Sequence, residues 1–137
     1  MCTDNMDNGP APVSAHQVLQ EGECQVTSWN DHRGRLTFRT IFSSESTATE
    51  GFVTGTAELA EGGYLALHRH EQAETYVVLS GTGVVTLDGI EHPVHPNSNV
   101  FTPGFCEHGI ANTGPQTLRF FYVLAADAFA DIEYVFT

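Results

Sequence analysis

Three histidines and one glutamate have the residue types and the spacing of a metal-binding site. His68 and His70 are two residues apart, Glu74 follows after three more residues, and His108 lies further along the chain. Side chains alternate between the faces of a β-strand, so His68 and His70 are expected on one side of a sheet. Imidazole and carboxylate groups bind divalent iron, nickel, manganese, cobalt or zinc, and four protein ligands leave positions open on an octahedral ion. The sequence therefore predicts a divalent transition metal that substrate can bind directly.

Tyr76 is the candidate catalytic residue. It follows Glu74 by two positions, so alternation along a strand places it on the same inward face, beside the metal. A phenol ordinarily ionises near pH ~10, and a nearby divalent cation favours the phenolate, which could act as a general base. The alternative is that Tyr76 only fills the protein interior, with its hydroxyl hydrogen-bonded.

The elements that must position these residues are short β-prone runs separated by turn signals. The runs are 36–42, 52–59, 84–87, 99–101 and 118–124. Asp88-Gly89 predicts a two-residue hairpin, and one short helical turn is expected within 127–131. The pattern predicts an all-β domain at residues 15–137, after a disordered tail at residues 1–14 that is rich in Asn, Asp, Gly and Pro.

The composition limits the possible partners. The chain has 137 residues with 41% hydrophobic content, which supports one domain with a single core. Seventeen acidic residues against five basic ones give a formal net charge of −12, which argues against nucleic acid or an anionic membrane surface as a partner. All five basic residues are arginines, so Schiff-base chemistry on a lysine is excluded.

The cysteines and the N-terminus indicate a cellular location. Cys2, Cys24 and Cys106 are an odd and widely scattered set, so a disulfide framework is not expected and a reducing cytoplasm is predicted. The N-terminus has neither a basic start nor an apolar stretch, so no signal peptide is predicted. No apolar run reaches the length of a membrane span.

The stretch from Gly62 to Gly81 resembles the first cupin motif. That motif consists of a glycine, five residues, His-x-His, three residues, Glu, six residues and a glycine, and every defining position is matched here. The resemblance implies a small double-stranded β-helix barrel of the jelly-roll type, a single cupin barrel, with the site inside it. Dimers are common in such folds, so a homodimer follows by analogy.

The second cupin motif is matched less closely. Its proline, histidine and asparagine correspond to Pro103, His108 and Asn112, but Asn97 and Phe105 stand where the motif has glycine. Asparagine tolerates the left-handed backbone conformation nearly as glycine does, so we expect the turn at Asn97 to survive. The departure at Phe105 is expected to alter the loop before His108 and to leave the ligand in place.

Four more aromatic residues are candidates to line a substrate pocket: Trp29, Tyr64, Phe101 and Tyr122. Alternation puts Tyr64 on the inward face that His68 shares. Aromatic faces in an acidic protein favour an ammonium or sulfonium group by about 0.5–2 kcal/mol per contact. A metal favours an anionic oxygen. A small zwitterion with a carboxylate and an onium group would satisfy both.

The single-domain cupin lyases that cleave dimethylsulfoniopropionate resemble this chain in their His-x-His, Glu-x-Tyr and later His. That resemblance implies His68, His70, Glu74 and His108 as ligands and Tyr76 as the base. The metal would bind the substrate carboxylate, and proton removal would release dimethyl sulfide and leave acrylate. No organic cofactor is needed.

Other functions remain open on this scaffold. An iron-dependent dioxygenase would use the same open metal positions for oxygen and substrate. A non-catalytic small-molecule binder is a third reading. A sugar-phosphate isomerase fits poorly, because a phosphate ligand is disfavoured by the charge of −12.

Overall fold

The computed structural model describes residues 16–137, which form eleven β-strands and two short 3-10 helices. The strands are β1 (Thr27–Asp31), β2 (Gly34–Phe42), β3 (Val53–Leu59), β4 (Tyr64–Arg69), β5 (Glu74–Ser80), β6 (Gly83–Leu87), β7 (Ile90–Val94), β8 (Asn99–Thr102), β9 (His108–Asn112), β10 (Leu118–Leu124) and β11 (Val135–Phe136). The 3-10 helices are Glu21–Glu23 and Phe129–Asp131. The prediction of an all-β barrel is confirmed. The predicted disordered tail, residues 1–14, lies outside the described residues.

The strands form one curled antiparallel sheet. Its hydrogen-bonded order is β7-β6-β9-β4-β2-β3-β10-β5-β8, while β1 pairs with β2 and β11 pairs with β4. Strands β4 and β9 are neighbours, but four strands separate β9 from β5 along this order. Curling of the sheet brings β5 across the interior to face β4 and β9, so side chains distant along the sheet can meet.

Alternation of apolar side chains forms the core. Along β10, every second residue points inward, and Leu118, Phe120 and Leu124 are at most 1% exposed. Burial of one such side chain contributes about 1.5–3 kcal/mol. Tyr76 and Val78 on β5 pack in the same core cluster. The inward face of the strands is therefore largely apolar, and the histidines and Glu74 are among its few buried polar side chains.

The turn predictions are confirmed. Asp88 and Gly89 connect β6 to β7 with φ values of 47° and 83°, and Leu87 pairs directly with Ile90. Positive φ at both central residues is the requirement of a type I′ hairpin turn. The 3-10 helix Phe129–Asp131 is the short helical turn expected near the end of the chain.

Two of the predicted pocket residues point outward. The pairing of β4 with β9 shifts register between Leu65 and His68, so Leu65 faces inward and Tyr64 is 41% exposed. Strict alternation from His68 is wrong here because a β-bulge inserts a residue and changes the face. Phe101 is 63% exposed, because its neighbours Val100 and Thr102 take the inward positions of β8.

The cysteines differ from their prediction at one position. Cys24 is part of a disulfide bond, whereas Cys106 is free and buried. Spacing along the sequence does not report the distance between Cα atoms, which decides whether two cysteines can bond. A cytoplasmic location therefore stays a prediction. Within residues 16–137, no helix is long and apolar enough to cross a membrane.

Candidate metal centre

Three buried histidines converge inside the barrel. His68 lies on β4, His70 follows that strand directly, and His108 begins β9 beside them, paired with His68. They are 0%, 3% and 1% exposed, and one ring nitrogen of each lies within 4.8 Å of the others. Their ligand atoms are close enough to hold one ion. Among the described residues, no separate group of three or more histidine, cysteine or acidic side chains meets this condition.

Each imidazole is oriented by the backbone. The Nδ1 atoms lie within hydrogen-bond distance of carbonyl oxygens two residues away: His68 to Ala66 at 2.7 Å, His70 to Gln72 at 2.9 Å and His108 to Cys106 at 2.8 Å. A carbonyl oxygen only accepts hydrogen bonds, so the Nδ1 atom carries the proton. The Nε2 atom of a neutral ring then has a free lone pair. This is the arrangement by which proteins fix histidine ligands to metals.

Glu74 supplies the fourth group from across the barrel. Its Oε1 atom lies 3.1 Å from Nε2 of His70 and 3.2 Å from Nε2 of His108. Burial raises the pKa of Glu74, but the Nε2 atoms of His108 and His70, at hydrogen-bond distance from its carboxylate, outweigh that effect and hold the pKa below its usual value. The carboxylate is therefore ionised. With neutral histidines, three acceptor atoms would face one another unless a proton or cation lay between them.

His68 contributes a buried acceptor without a partner. Its Nε2 atom makes no hydrogen bond with any described residue. Burial, followed by the neighbouring His108, lowers the pKa of His68 to about 4, so the ring is neutral at pH 7. A divalent ion satisfies this set, since ligand bonds of about 2.0–2.2 Å place adjacent ligands of an octahedral ion about 3 Å apart. The donor atoms fit a transition metal.

Tyr76 lies beside this group with an unpaired hydroxyl. It is 1% exposed, and its ring centroid is 6.3 Å from that of His108. The buried hydroxyl has no hydrogen-bond partner among the described residues. Burial raises the pKa of Tyr76 well above its usual value, and the negative charge of Glu74 adds to the effect. A tyrosine that only filled the core would be expected to pair its hydroxyl.

An aromatic cavity adjoins the group. Its lining includes seven aromatic side chains: Trp29, Phe38, Tyr76, Phe120, Tyr122, Phe129 and Tyr134. Glu74 is the one charged side chain in the lining, and the cavity volume is about 30 Å³. Trp29 and Tyr122 thus lie where the sequence places pocket residues, whereas Tyr64 and Phe101 do not.

Tyr134 is a site residue that the sequence did not reveal. Its ring lies 5.1 Å from that of His68, 5.3 Å from His70 and 5.7 Å from Trp29. Strand β11 brings it there by pairing with the end of β4, where Phe136 lies opposite His68. The run Tyr134-Val135-Phe136 is apolar and β-prone, but nothing in it indicates which strand it joins.

The two residues that replace glycine in the second cupin motif adopt a backbone conformation typical of glycine. Asn97 has φ 74° and Phe105 has φ 63°, both in the left-handed region. The expectation for Asn97 is confirmed. Phe105 retains the loop shape, which the sequence did not predict, and its N–H donates a 2.8 Å hydrogen bond to the carbonyl of His70. The motif glycines Gly62 and Gly81 have φ values of 76° and 83°.

An antiparallel barrel with three histidines and a glutamate inside it is the architecture of a cupin. The cupin domain family matches residues 55–124, and the chain belongs to that family. The dimethylsulfoniopropionate lyase DddW of Ruegeria pomeroyi is 35% identical over 133 residues, which are 97% of this chain and 84% of that protein.

Two further proteins are similar over most of the chain. An oxalate-binding protein of Thermotoga maritima is 27% identical over 101 residues, which are 73% of this chain and 84% of that protein. The solved structure of the polyketide cyclase RemF from Streptomyces resistomycificus has a TM-score of 0.75 at 21% identity, covering 90% of this chain and 86% of that one. The structural likeness shows the fold alone.

Proposed function

We propose that this protein is a metal-dependent lyase that cleaves dimethylsulfoniopropionate into dimethyl sulfide and acrylate. The observation that carries the proposal is the 35% identity to the lyase DddW along 97% of the chain. The geometry supports it, because the histidine and glutamate group lies next to an unpaired phenol in an aromatic cavity. Both observations together support this reaction class.

The metal ligands in this proposal are His68, His70, Glu74 and His108. Three imidazole nitrogens and one carboxylate oxygen suit divalent iron, nickel, manganese, cobalt or zinc. An ion held there would polarise the substrate carboxylate and acidify the carbon next to it. The backbone carbonyls that accept from the Nδ1 atoms hold the three rings in the required tautomer.

Tyr76 is the general base in this proposal. The Oη atom of Tyr76 takes the proton from the carbon next to the carboxylate. The C–S bond then breaks, and the electron pair of that bond leaves with sulfur as neutral dimethyl sulfide. The new C=C bond is that of acrylate, and the proton passes from Tyr76 to water. Without a cation nearby, the raised pKa of Tyr76 keeps the phenol protonated. We therefore expect activity only in metal-loaded protein.

The aromatic cavity suits the sulfonium end of this substrate. Trp29 and Tyr122 present aromatic rings, and the cavity lining contains no cationic side chain. Each ring contact with a cation contributes about 0.5–2 kcal/mol. A free anionic group would find no positive partner in the lining other than a bound ion. A small zwitterion therefore matches the two ends of the site.

The test is headspace detection of dimethyl sulfide from purified protein that has been loaded in parallel with iron, nickel, manganese, cobalt and zinc. Release that depends on metal and consumes no oxygen supports the lyase. Oxygen consumption with a changed substrate would instead indicate an iron-dependent dioxygenase. No release from protein shown to be loaded with each metal would refute the lyase.

A second candidate is a non-catalytic small-molecule binder. The 27% identity to an oxalate-binding protein over 73% of the chain favours it. Calorimetry with loaded protein separates the two, because a binder gives a saturable heat and returns the ligand unaltered. A homodimer, a cytoplasmic location and a single cupin domain over residues 15–137 stay predictions, and light scattering tests the first.

A further inference from the structure

The cavity beside the candidate metal centre is smaller than the substrate proposed above. Its volume of about 30 Å³ accommodates about two water molecules, at about 10–15 Å³ each. Dimethylsulfoniopropionate is several times larger than a water molecule. A wall of the cavity must therefore move before the substrate can occupy it beside the histidine group.

One wall of this cavity is the last segment of the chain. Residues 125–137, here called the C-terminal strap, contribute Phe129 and Tyr134 to the inner lining. On its other side, Asp131, Glu133 and Val135 line a depression of about 310 Å³ that reaches His70. The C-terminal strap thus separates the aromatic cavity from a larger depression that also borders the histidine group.

The C-terminal strap is attached less extensively than the other walls. Strand β10 is paired along its length with both β3 and β5, whereas β11 has two residues and pairs only with β4. The other hydrogen bonds between the strap and the rest of the chain are Ser44 N to Asp127 O, Gly51 N to Asp127 Oδ1, Ala125 N to Ala73 O, Ala126 N to Leu124 O, Phe129 N to Ser43 Oγ, Ala130 N to Glu45 Oε1, Thr137 N to Leu67 O and Thr137 Oγ1 to Glu107 Oε2. Segments with few backbone pairings open more readily than continuous strands.

The charge on the outer side fits an entrance for a cation. Glu71, Asp131 and Glu133 line the outer depression, and Arg69 is the one basic side chain among them. A depression with an excess of one charge raises the local concentration of ligands of opposite sign. A molecule with an onium group would collect on this side of the strap, against His70.

We propose that the C-terminal strap is the gate of the site. It lifts from β4 to admit a small onium-bearing molecule from the outer depression, and on closing it places Tyr134 over that molecule, against His68 and His70. The identity of the admitted molecule rests on the function proposed above. The gating itself concerns access to the histidine group and can be tested without turnover.

A reversible crosslink tests the gate. Val135 and Arg69 are antiparallel partners and both side chains are exposed. Such partners have Cα atoms about 4.5–5.5 Å apart, within the range of about 4.4–6.8 Å that a disulfide spans. In the Arg69→Cys/Val135→Cys variant, oxidation joins β11 to β4 and reduction frees it. The matched control is Arg69→Ser/Val135→Ser, which loses the same side chains and cannot be joined.

Two readouts separate the gate from the proposed function. The first is the rate at which EDTA removes cobalt from loaded protein, and the second is release of dimethyl sulfide. We expect oxidation to slow both by about tenfold or more, with recovery on reduction and no change in the serine control. Unchanged rates in protein whose crosslink is complete by peptide mapping would overturn the gate. Slower cobalt loss in a protein that releases no dimethyl sulfide in any form would refute the lyase and keep the gate.

Hydrogen exchange on the unaltered protein gives an independent measurement. If the strap opens, the N–H of Thr137, which donates to Leu67, exchanges much faster than the N–H groups of β10. Equal protection of the two would contradict the gate even if the crosslinked variant did not fold.

Discussion

Oε1 of Glu74 lies 3.2 Å from Nε2 of His108, although the two residues are 34 positions apart in the sequence and their strands are separated by four others in the sheet. The contact crosses the barrel interior. It joins β5 to β9, and His70 extends it to the end of β4. A carboxylate is buried here, at 5% exposure, because nitrogen atoms surround it. The group is therefore complete only when the barrel is closed.

Removing this carboxylate should weaken metal binding. We expect Glu74→Gln to lower the affinity for cobalt by at least about 10–100-fold, since one of four ligands and one negative charge are lost. Competition with a chelator of known affinity measures this. Glu71→Gln is the control. Glu71 is exposed, and its substitution removes the same charge close to the site. Equal losses in both variants would show that Glu74 acts only through the overall charge.

Acid should destabilise the metal-free protein through His68. The pKa of His68 is lowered to about 4 in the folded state by burial, against 6.5 in the unfolded chain. The unfolded state therefore takes up a proton first as the pH falls from 6.5. The free energy of unfolding falls by about 3 kcal/mol by pH 4. Urea unfolding across this range measures the loss.

His68→Gln removes the titrating group in this experiment, so stability should depend less on pH between 6.5 and 4. His32→Gln is the control, because the His32 side chain is 76% exposed and should leave the pH dependence unchanged. The same slope in wild type and His68→Gln would assign the acid sensitivity to other groups.

Replacing Phe105 should stabilise the fold. The left-handed backbone, φ 63°, costs a residue with a side chain about 1–2 kcal/mol, and the ring is 64% exposed, so little packing is lost. Glycine also raises the conformational entropy of the unfolded chain, which lowers the free energy of unfolding by about 0.4–1 kcal/mol. We expect Phe105→Gly to gain about 0.5–1 kcal/mol in the free energy of unfolding. Phe101→Gly, at a similarly exposed position within β8, should lose stability in the same urea titration.

Tyr76→Phe should separate catalysis from folding. The Tyr76 hydroxyl has no hydrogen-bond partner among the described residues, so its removal should change stability by less than about 0.5 kcal/mol. Turnover should fall by about 10²–10⁴-fold, the usual contribution of a general base. Dimethyl sulfide release and thermal unfolding measure the two effects.

Tyr122→Phe is the matched control for that experiment. The Tyr122 hydroxyl lies 3.3 Å from Oγ1 of Thr40, so its loss should cost about 0.5–1.5 kcal/mol and spare more of the activity. Wild-type turnover in Tyr76→Phe would remove Tyr76 from the chemistry.

The local parts of the fold and site were predictable from the sequence. Alternation along a strand explains why His68 and His70 share a side, and Asp88-Gly89 has the residues that a type I′ turn requires. Glu74 and His108 could be grouped with them because they stand at defining positions of the two cupin motifs, and that resemblance implies a barrel with the site inside it. These predictions depend on neighbours in the chain or on a known pattern.

The parts that failed depend on pairing between distant strands. Tyr64 was placed inward by alternation, but the bulge between Leu65 and His68 arises from how β4 pairs with β9. Tyr134 was not found, because a two-residue strand carries too little periodicity to reveal its partner. Phe105 held a glycine conformation that its residue type disfavours, since the surrounding loop fixes the backbone there.

The closure of the barrel around the histidine group links metal supply to the lifetime of the protein. The unfolded chain cannot assemble groups from β4, β5 and β9, so an ion held by the folded state alone would add about 4 kcal/mol when its concentration exceeds the dissociation constant about 1,000-fold. Cellular proteases degrade unfolded chains. A cell short of the metal would then lose the protein itself as well as its turnover.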